Sequence, residues 1–249
     1  MVDVCGNSVE LIGTYGGDLE HALSAWTSTS RELTNEKRAR IPALLKTLAE
    51  NGHHTPFEKS ALHFLVTSDI ASHIHIIKHR IGVSVNAESA RYRELREDRI
   101  YVPGDWPEDC QRDLRDLATF CCGFYHGILG RLVERGIDRK RAKESARFAL
   151  PYASQITSDV QFNFRSFMHF IGLRADSHAQ REIRGIAASM LHFVHRTGAF
   201  THSLWAFGWD GNRIHALCEE LGVHRAPLDD PPDEGGDPLD MPIDHAPEE

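Results

Sequence analysis

Between Ala61 and Ile81 the period of the apolar residues changes from two to about 3.6, and that change limits the folds open to the chain. In ALHFLVT, residues 61–67, Leu62, Phe64 and Val66 fall on one face, which predicts a strand with one buried side. In DIASHIHIIKHRI, residues 69–81, the spacing is helical. With His75 set at 0° and each residue turning about 100°, Ile70, Ile74, Ile77 and Ile81 lie between about 200° and 260°. His75, Lys78 and His79 lie between about 300° and 40°. The expected helix buries its isoleucines and presents cations on a nearly opposite face.

The rest of the chain supplies more of both elements. VELIGTYGG (9–17) has strand content closed by Gly16-Gly17, and DLEHALSAWTS (18–28) reads as a short helix opened by Asp18. Ile41, Leu44, Leu45 and Leu48 form one helical stripe between Asn35 and Asn51, with Gly52 where the helix stops. A long helix is expected from Asp109 to Gly136, with Leu114, Leu117, Cys121, Phe124, Ile128 and Leu132 on one stripe. DRKRAKESARFAL (138–150) follows as a second helix that stops at Pro151. VQFNFRSFMHFIGL (160–173) is apolar with isolated polar positions, and SHAQREIRGIAASMLHFVH (177–195) is an amphipathic helix ended by Gly198. Several long helices and a few strands, without regular β-α alternation, predict the α+β class.

A net charge of −8 argues against a nucleic-acid polymer as partner, yet the charge is unevenly placed. Residues 229–249, DDPPDEGGDPLDMPIDHAPEE, hold nine acids and neither Lys nor Arg, so removing them leaves residues 1–228 at +1. The expected organisation is one domain over residues 1–225 and an acidic, Pro/Gly-rich, disordered tail over 226–249. No run approaches the roughly 18 apolar residues of a membrane span, and Met1-Val2-Asp3-Val4 is too short and too acidic for a signal peptide. A cytoplasmic location is therefore expected. Cys5, Cys110, Cys121, Cys122 and Cys218 are odd in number and show no C-x-x-C spacing, which indicates neither a zinc ribbon nor a disulfide framework.

Four stretches hold polar residues that core packing does not explain: NGHHTPFEK (51–59), KHRIGVSVNAESARY (78–92), KESARFALP (143–151) and FNFRSFMHFIGLRADSHAQ (162–180). The second crowds Lys78, His79, Arg80 and Arg91 around small polar residues, as an anion site would. In the fourth, Arg165 and Arg174 interrupt an apolar run, and a buried guanidinium must be paired or face a ligand. Arg147, Arg165 and Arg174 could each pair with Glu144, Asp176 or Glu182, or each could meet a ligand. His75 and His79 stand at i, i+4, but neither an HExxH glutamate nor a cysteine set completes a metal site, and none is expected. No Gly-rich phosphate loop exists, so a nucleotide would be held by side chains and helix ends.

Together these stretches resemble the flavin-dependent thymidylate synthases. That family is marked by Arg-His-Arg, seven intervening residues, Ser, and Arg-Tyr two residues on. Here Lys78-His79-Arg80 carries Lys at the first place, and eight residues precede Ser89 and Arg91-Tyr92. GHHTPFEK (52–59) resembles a second family stretch, and LRADSHAQREI (173–183) a C-terminal one, so the resemblance spans residues 18–208. It implies conversion of dUMP to dTMP, with methylenetetrahydrofolate giving the carbon, FAD carrying the hydride and NADPH reducing the flavin. It also implies a central, mostly antiparallel sheet with long helices and a homotetramer whose active sites lie between subunits. No cysteine nucleophile is required, and none of the cysteines stands in a Pro-Cys-His motif.

Residue by residue, the resemblance implies His53 against the isoalloxazine, with Thr55 and Glu58 bordering the FAD site. Asn163, Arg165 and His169 would address the flavin, and Lys78, His79 and Arg80 would reach FAD from a neighbouring subunit. His75 and Lys78 would contact the nucleotide, as would Ala87, Glu88, Ser89, Ala90 and Arg91. Ser89 and Arg91 would take its phosphate, and Ala87 would also touch the cofactor. Arg147 and Arg174 would address the uracil, where the fixed charge of Arg174 stabilises negative charge developing in the ring. The departures at Lys78 and before Ser89 leave UMP or another pyrimidine nucleotide as an alternative substrate, and a catalytically idle flavin- or nucleotide-binding homologue as a reading of another class.

Overall fold

The computed structural model describes residues 2–89 and 98–223. Ala90, Arg91 and the acidic tail therefore lie outside the described residues. In chain order the elements are β1 (Asp3–Val4), β2 (Ser8–Tyr15), α1 (Asp18–Trp26), α2 (Asn35–Glu50), β3 (Ala61–Asp69), α3 (Ile70–Ile77), β4 (Val83–Ala87) and β5 (Arg99–Ile100). They continue as α4 (Glu108–Glu134), α5 (Arg139–Ala146), β6 (Gln155–Phe162), α6 (Phe164–Arg174), α7 (Arg181–Arg196), α8 (Thr201–Ala206) and α9 (Gly211–Leu221). The class is α+β, with an antiparallel four-stranded sheet in the order β2-β3-β6-β4 and a parallel pair, β1-β5, in the register Asp3–Arg99 and Val4–Ile100. Among the described residues, no helix is long and apolar enough to cross a membrane.

The chain forms two compact units. The first comprises Met1–Glu10, Phe64–Arg80 and Ser84–Val160, and the second Leu11–His63, Ile81–Val83 and Gln161–Glu249. The alternation predicted for β3 is observed: Leu62, Phe64, Val66 and Ser68 are buried, and the residues between them are half-buried.

In the first unit α4 packs on α5. The buried face of α4 is Ala118, Cys122, Tyr125 and Leu129, while Leu117, Phe120 and Phe124 are exposed. The expected stripe was thus displaced by about one residue, because α4 carries two adjacent apolar faces and only one meets a neighbour. Leu114, Ile128 and Leu132 pack on the edge of that buried face. The isoleucine stripe expected of α3 is likewise corrected. The α-helix ends at Ile77, so Ile81 stands in a turn beyond it and is 91% exposed, while Ser72 and Ile76 form the buried face. Asp69 starts α3 by accepting the Ser72 N–H at 2.8 Å, and its other oxygen accepts from Asn7 at 2.8 Å. The helix predicted to run to Pro151 ends at Ala146 and tightens into a single 3₁₀ turn over Arg147–Ala149.

The second unit is built around aromatic rings. Phe57, Phe164 and Phe200 are fully buried, and Phe164 stacks on Phe200 at 5.4 Å between centroids. Into this cluster α1 inserts His21, whose ring nitrogens lie 2.9 Å from Ser203 Oγ and 2.9 Å from Ser60 Oγ. Asp18 at the start of α1 accepts the backbone N–H groups of His202 and Ser203, each at 2.7 Å. The apolar period of α2 buries Ile41 and Leu45, and α2 packs on α8.

Candidate active site

The segment between α2 and β3 turns tightly because Pro56 fixes the start of a 3₁₀ turn over Thr55–Glu58. Phe57, buried between His21, Phe164 and Phe207, anchors that turn with ring separations of 5.2, 6.1 and 5.0 Å. Glu58 follows it and accepts a hydrogen bond from Arg165 Nη1 at 2.5 Å.

Arg165 stands one residue inside α6. Asn163 caps that helix, its Oδ1 accepting the Ser166 N–H at 2.8 Å. Helical twist sends Phe164, Phe167, Phe170 and Ile171 into the core and Arg165 and His169, at i, i+4, outward. This corrects the expectation of a buried Arg165: its side chain is 50% exposed, and its partner is Glu58 rather than Glu144, Asp176 or Glu182.

The turn Ile81-Gly82 is bonded to the start of α6. Ser166 Oγ donates to the Ile81 carbonyl at 2.7 Å, and the Asn163 N–H donates to the Gly82 carbonyl at 3.1 Å. Gly82 has φ +66°, and a Cβ there would fall 2.3 Å from Ser166 Oγ and 2.4 Å from Asn163 Nδ2. Only glycine permits this approach.

These parts enclose a cavity of about 580 Å³, lined among others by His54, Glu58, Ile81, Asn163, Arg165 and His169. Four residues predicted for the flavin, Glu58, Asn163, Arg165 and His169, therefore come together in one place. His53 and Thr55 are exposed and do not line it, and the histidine contributed by that turn is His54. Sequence reasoning missed His54, Ser166, Met168 and Phe207, although the adjacent His53-His54 pair and Gly82 inside the basic stretch were visible signals. Met168, Phe207 and Ile81 offer apolar walls to a flat ring, and Arg165 and His169 offer nitrogens to its polar edge. The residues present fit a flavin.

Arg174 ends α6 nine residues after Arg165, which places it about 13 Å along the axis and on the opposite side. It is half-buried, and burial lowers its guanidinium pKa from the ordinary value. Beyond it Asp176 accepts from His178 N and Nδ1 at 2.9 and 2.7 Å, and these hydrogen bonds hold the Asp176 carboxyl below its ordinary pKa.

The remaining predicted residues among those described belong to the first unit. Lys78 and Arg80 are exposed, His79 is buried and His75 half-buried at the end of α3. Ala87 ends β4, and Glu88 continues the pairing with β6: its N–H donates to the Thr157 carbonyl at 2.9 Å, and its carboxylate accepts the Thr157 N–H at 2.8 Å. The same carboxylate meets Arg99 at 3.3 Å. Glu88 thus fixes the end of β4, and Ser89 follows it, half-buried. Arg147 is exposed, with Nε donating to the Glu144 carbonyl at 3.2 Å rather than to its carboxylate. Among the described residues, no group of three or more potential metal ligands occurs.

The cavity thus sets a guanidinium and an imidazole beside apolar walls, on an α+β scaffold. The family model described as "Thymidylate synthase complementing protein" matches residues 10–197. The flavin-dependent thymidylate synthase of Pseudothermotoga lettingae is 33% identical over 189 residues, covering 73% of this chain and 82% of that protein. That of Thermosipho africanus is 32% identical over 197 residues, covering 73% and 83%. The crystal structure of the UMP/dUMP methylase PolB from Streptomyces cacaoi, bound with 5-Br dUMP, aligns with a TM-score of 0.71 at 28% identity, covering 84% of this chain and 98% of that one. The chain belongs to the flavin-dependent thymidylate synthases, a family of methyl-transferring enzymes.

Proposed function

We propose that the protein methylates C5 of dUMP to give dTMP, with methylenetetrahydrofolate as carbon donor, FAD as hydride carrier and NADPH as reductant. The convergence of Glu58, Asn163, Arg165 and His169 on one cavity carries this reading. In it, Arg165 and His169 hold the flavin's polar edge, Glu58 borders the site, His53 and Thr55 meet the cofactor from the turn just outside the cavity lining, and Lys78, His79 and Arg80 reach the cofactor of a neighbouring subunit. Bound flavin supplies the hydride.

The chain's own residues do the rest. Ser89 and Arg91 bind the nucleotide phosphate, with His75, Lys78, Ala87, Glu88 and Ala90 around it. Arg147 and Arg174 face the uracil. Methylation needs C5 to become electron-rich, and a guanidinium beside the N3/C2 edge stabilises that charge before the carbon arrives. Arg174 suits this role because its pKa, though lowered by burial, starts high enough for the group to stay charged. The assembly is a cytoplasmic homotetramer, and the exposed stripe of Leu117, Phe120 and Phe124 on α4 supports self-association.

A second reading, C5-methylation of UMP, is supported by the likeness to PolB, a UMP/dUMP methylase. Parallel assays of the purified enzyme with dUMP and UMP separate the two, since turnover of UMP alone would sink the thymidylate reading. A preparation without flavin absorbance that cannot be reconstituted with FAD would remove both. Retained flavin without turnover of either nucleotide would leave an idle binding homologue.

A further inference from the structure

The outer face of α4 is apolar and interrupted by glycines. With Phe120 set at 0° and each residue turning about 100°, the buried face, Ala118, Cys122, Tyr125 and Leu129, lies between about 140° and 200°. Phe120 therefore points the opposite way, and Leu117 and Phe124 lie within about 60° of it. Leu117, Phe120 and Phe124 are 55%, 71% and 44% exposed, a large apolar surface left uncovered by the described residues.

Gly123, Gly127 and Gly130 share that outer side of the helix. Glycine weakens the interior of an exposed helix, so three of them call for a reason. None adopts a left-handed backbone, and a Cβ on any of them would meet nothing within 4 Å. Their smallness thus serves no packing among the described residues of one subunit. It serves a second helix, whose bulky side chains come closer over a missing Cβ.

Charge decides which helix that is. The face carries Arg112, Asp113 and Asp116 toward its start and Arg131, Glu134 and Arg135 toward its end, all exposed. A second α4 laid antiparallel about a dyad between Gly123 and Phe124 brings Phe120 level with Gly127 of the second copy, and Leu117 level with its Gly130. Asp116 then stands level with Arg131 of the second copy. Asp113 and Arg135 lean to one flank and Arg112 and Glu134 to the other, and each of these opposite charges falls about 1.5 Å along the axis from its counterpart. Every acid of the face meets an arginine, whereas parallel pairing sets each charge beside its own copy. Exposed pairs of this kind add little affinity but fix orientation and register. We propose that two copies of this chain pair along α4, antiparallel, with Phe120 of each seated over Gly127 of the other. This isologous contact rests on the self-association proposed above and gives it a surface and a register.

The test uses the full chain in analytical ultracentrifugation. Gly127→Leu, which favours the helix itself but fills the notch, and Asp116→Arg, which sets like charges together, should each raise the dissociation constant of the assembly about tenfold or more. Adding Arg131→Asp to Asp116→Arg should restore association to near wild type. Under a mild oxidant, Phe124→Cys, beside the dyad, should give a disulfide between copies, mapped by mass spectrometry. Gly130→Cys, about 20 Å from its counterpart, should not. A wild-type chain that sediments as a single subunit would remove this pairing and the self-association reading together. An assembly indifferent to Gly127→Leu, one not restored by the exchanged charges, a Phe124→Cys variant that forms no link, or a Gly130→Cys variant that does would each overturn the pairing alone.

Discussion

Glu58 and Arg165, 107 residues apart, form an ion pair and line the same cavity. The pair is half-exposed, at 32% and 50% for the two side chains, so it contributes only about 0.2–1 kcal/mol to stability. Its consequence is directional: Glu58 holds the guanidinium in one orientation. Arg165→Ala is expected to weaken FAD binding about tenfold or more, and Glu58→Gln by a few-fold, with melting temperatures within a few degrees of wild type. Fluorescence titration with FAD measures both. Equal FAD affinity in Arg165→Ala would show that the cavity does not take the flavin.

Gly82→Ala places a methyl where Ser166 Oγ and Asn163 Nδ2 now lie, in a backbone region costly for alanine. Both side chains are engaged, one on the Ile81 carbonyl and the other capping α6, so neither yields freely. Left-handed strain of about 1 kcal/mol and a disturbed cap of about 1 kcal/mol predict a loss of about 2 kcal/mol, together with weaker flavin retention. Urea denaturation reads the first and absorbance after gel filtration the second.

What the amino acids disclosed in advance follows from how local each signal is. The period-two run of β3 is a property of a few successive residues, and that strand formed where expected. Which face of α3 or α4 meets a neighbour depends on elements distant in sequence. The stripes named on those helices were therefore displaced, with Ile77, Ile81, Leu117 and Phe124 left exposed. The same limit explains Arg165. The apolar run around it was legible, but its partner Glu58 comes from a turn that only tertiary structure brings near, and other carboxylates were named instead. His53 and His54 are equal in sequence, and only the packing of His54 on Phe57 and Phe207, at 6.4 and 5.3 Å, shows which one lines the cavity.

Arg174→Ala is expected to abolish nearly all methylation while flavin stays bound, because the residue lies on the other side of α6 from Arg165 and His169. Arg174→Lys keeps the charge but loses the two-pronged geometry, so most activity should still be lost. Single-turnover assays with reduced flavin measure this. Near-normal turnover in the Ala variant would refute the electrostatic role.

Stability should fall on acidification, and His21 supplies the largest identifiable reason. It is fully buried, and burial holds its imidazole pKa down at about 3 against an ordinary 6.5. Between those values the unfolded chain binds a proton that the folded chain refuses, so stability rises with pH across that window. The contribution is complete above about 6.5 and is lost progressively as pH falls toward 3, a change on the order of 4 kcal/mol. His73 and His195, also lowered by burial, act with the same sign. Asp18 acts oppositely: burial raises its carboxyl above the ordinary value, so its contribution declines as pH rises through the region above 3.8. Denaturation of wild type and His21→Gln at several pH values between 8 and 4 isolates the histidine. The variant should be less stable at pH 8, since it leaves the Ser60 and Ser203 hydroxyls poorly matched, yet lose less on acidification. Parallel stability curves for the two proteins would show that His21 is not the group responsible.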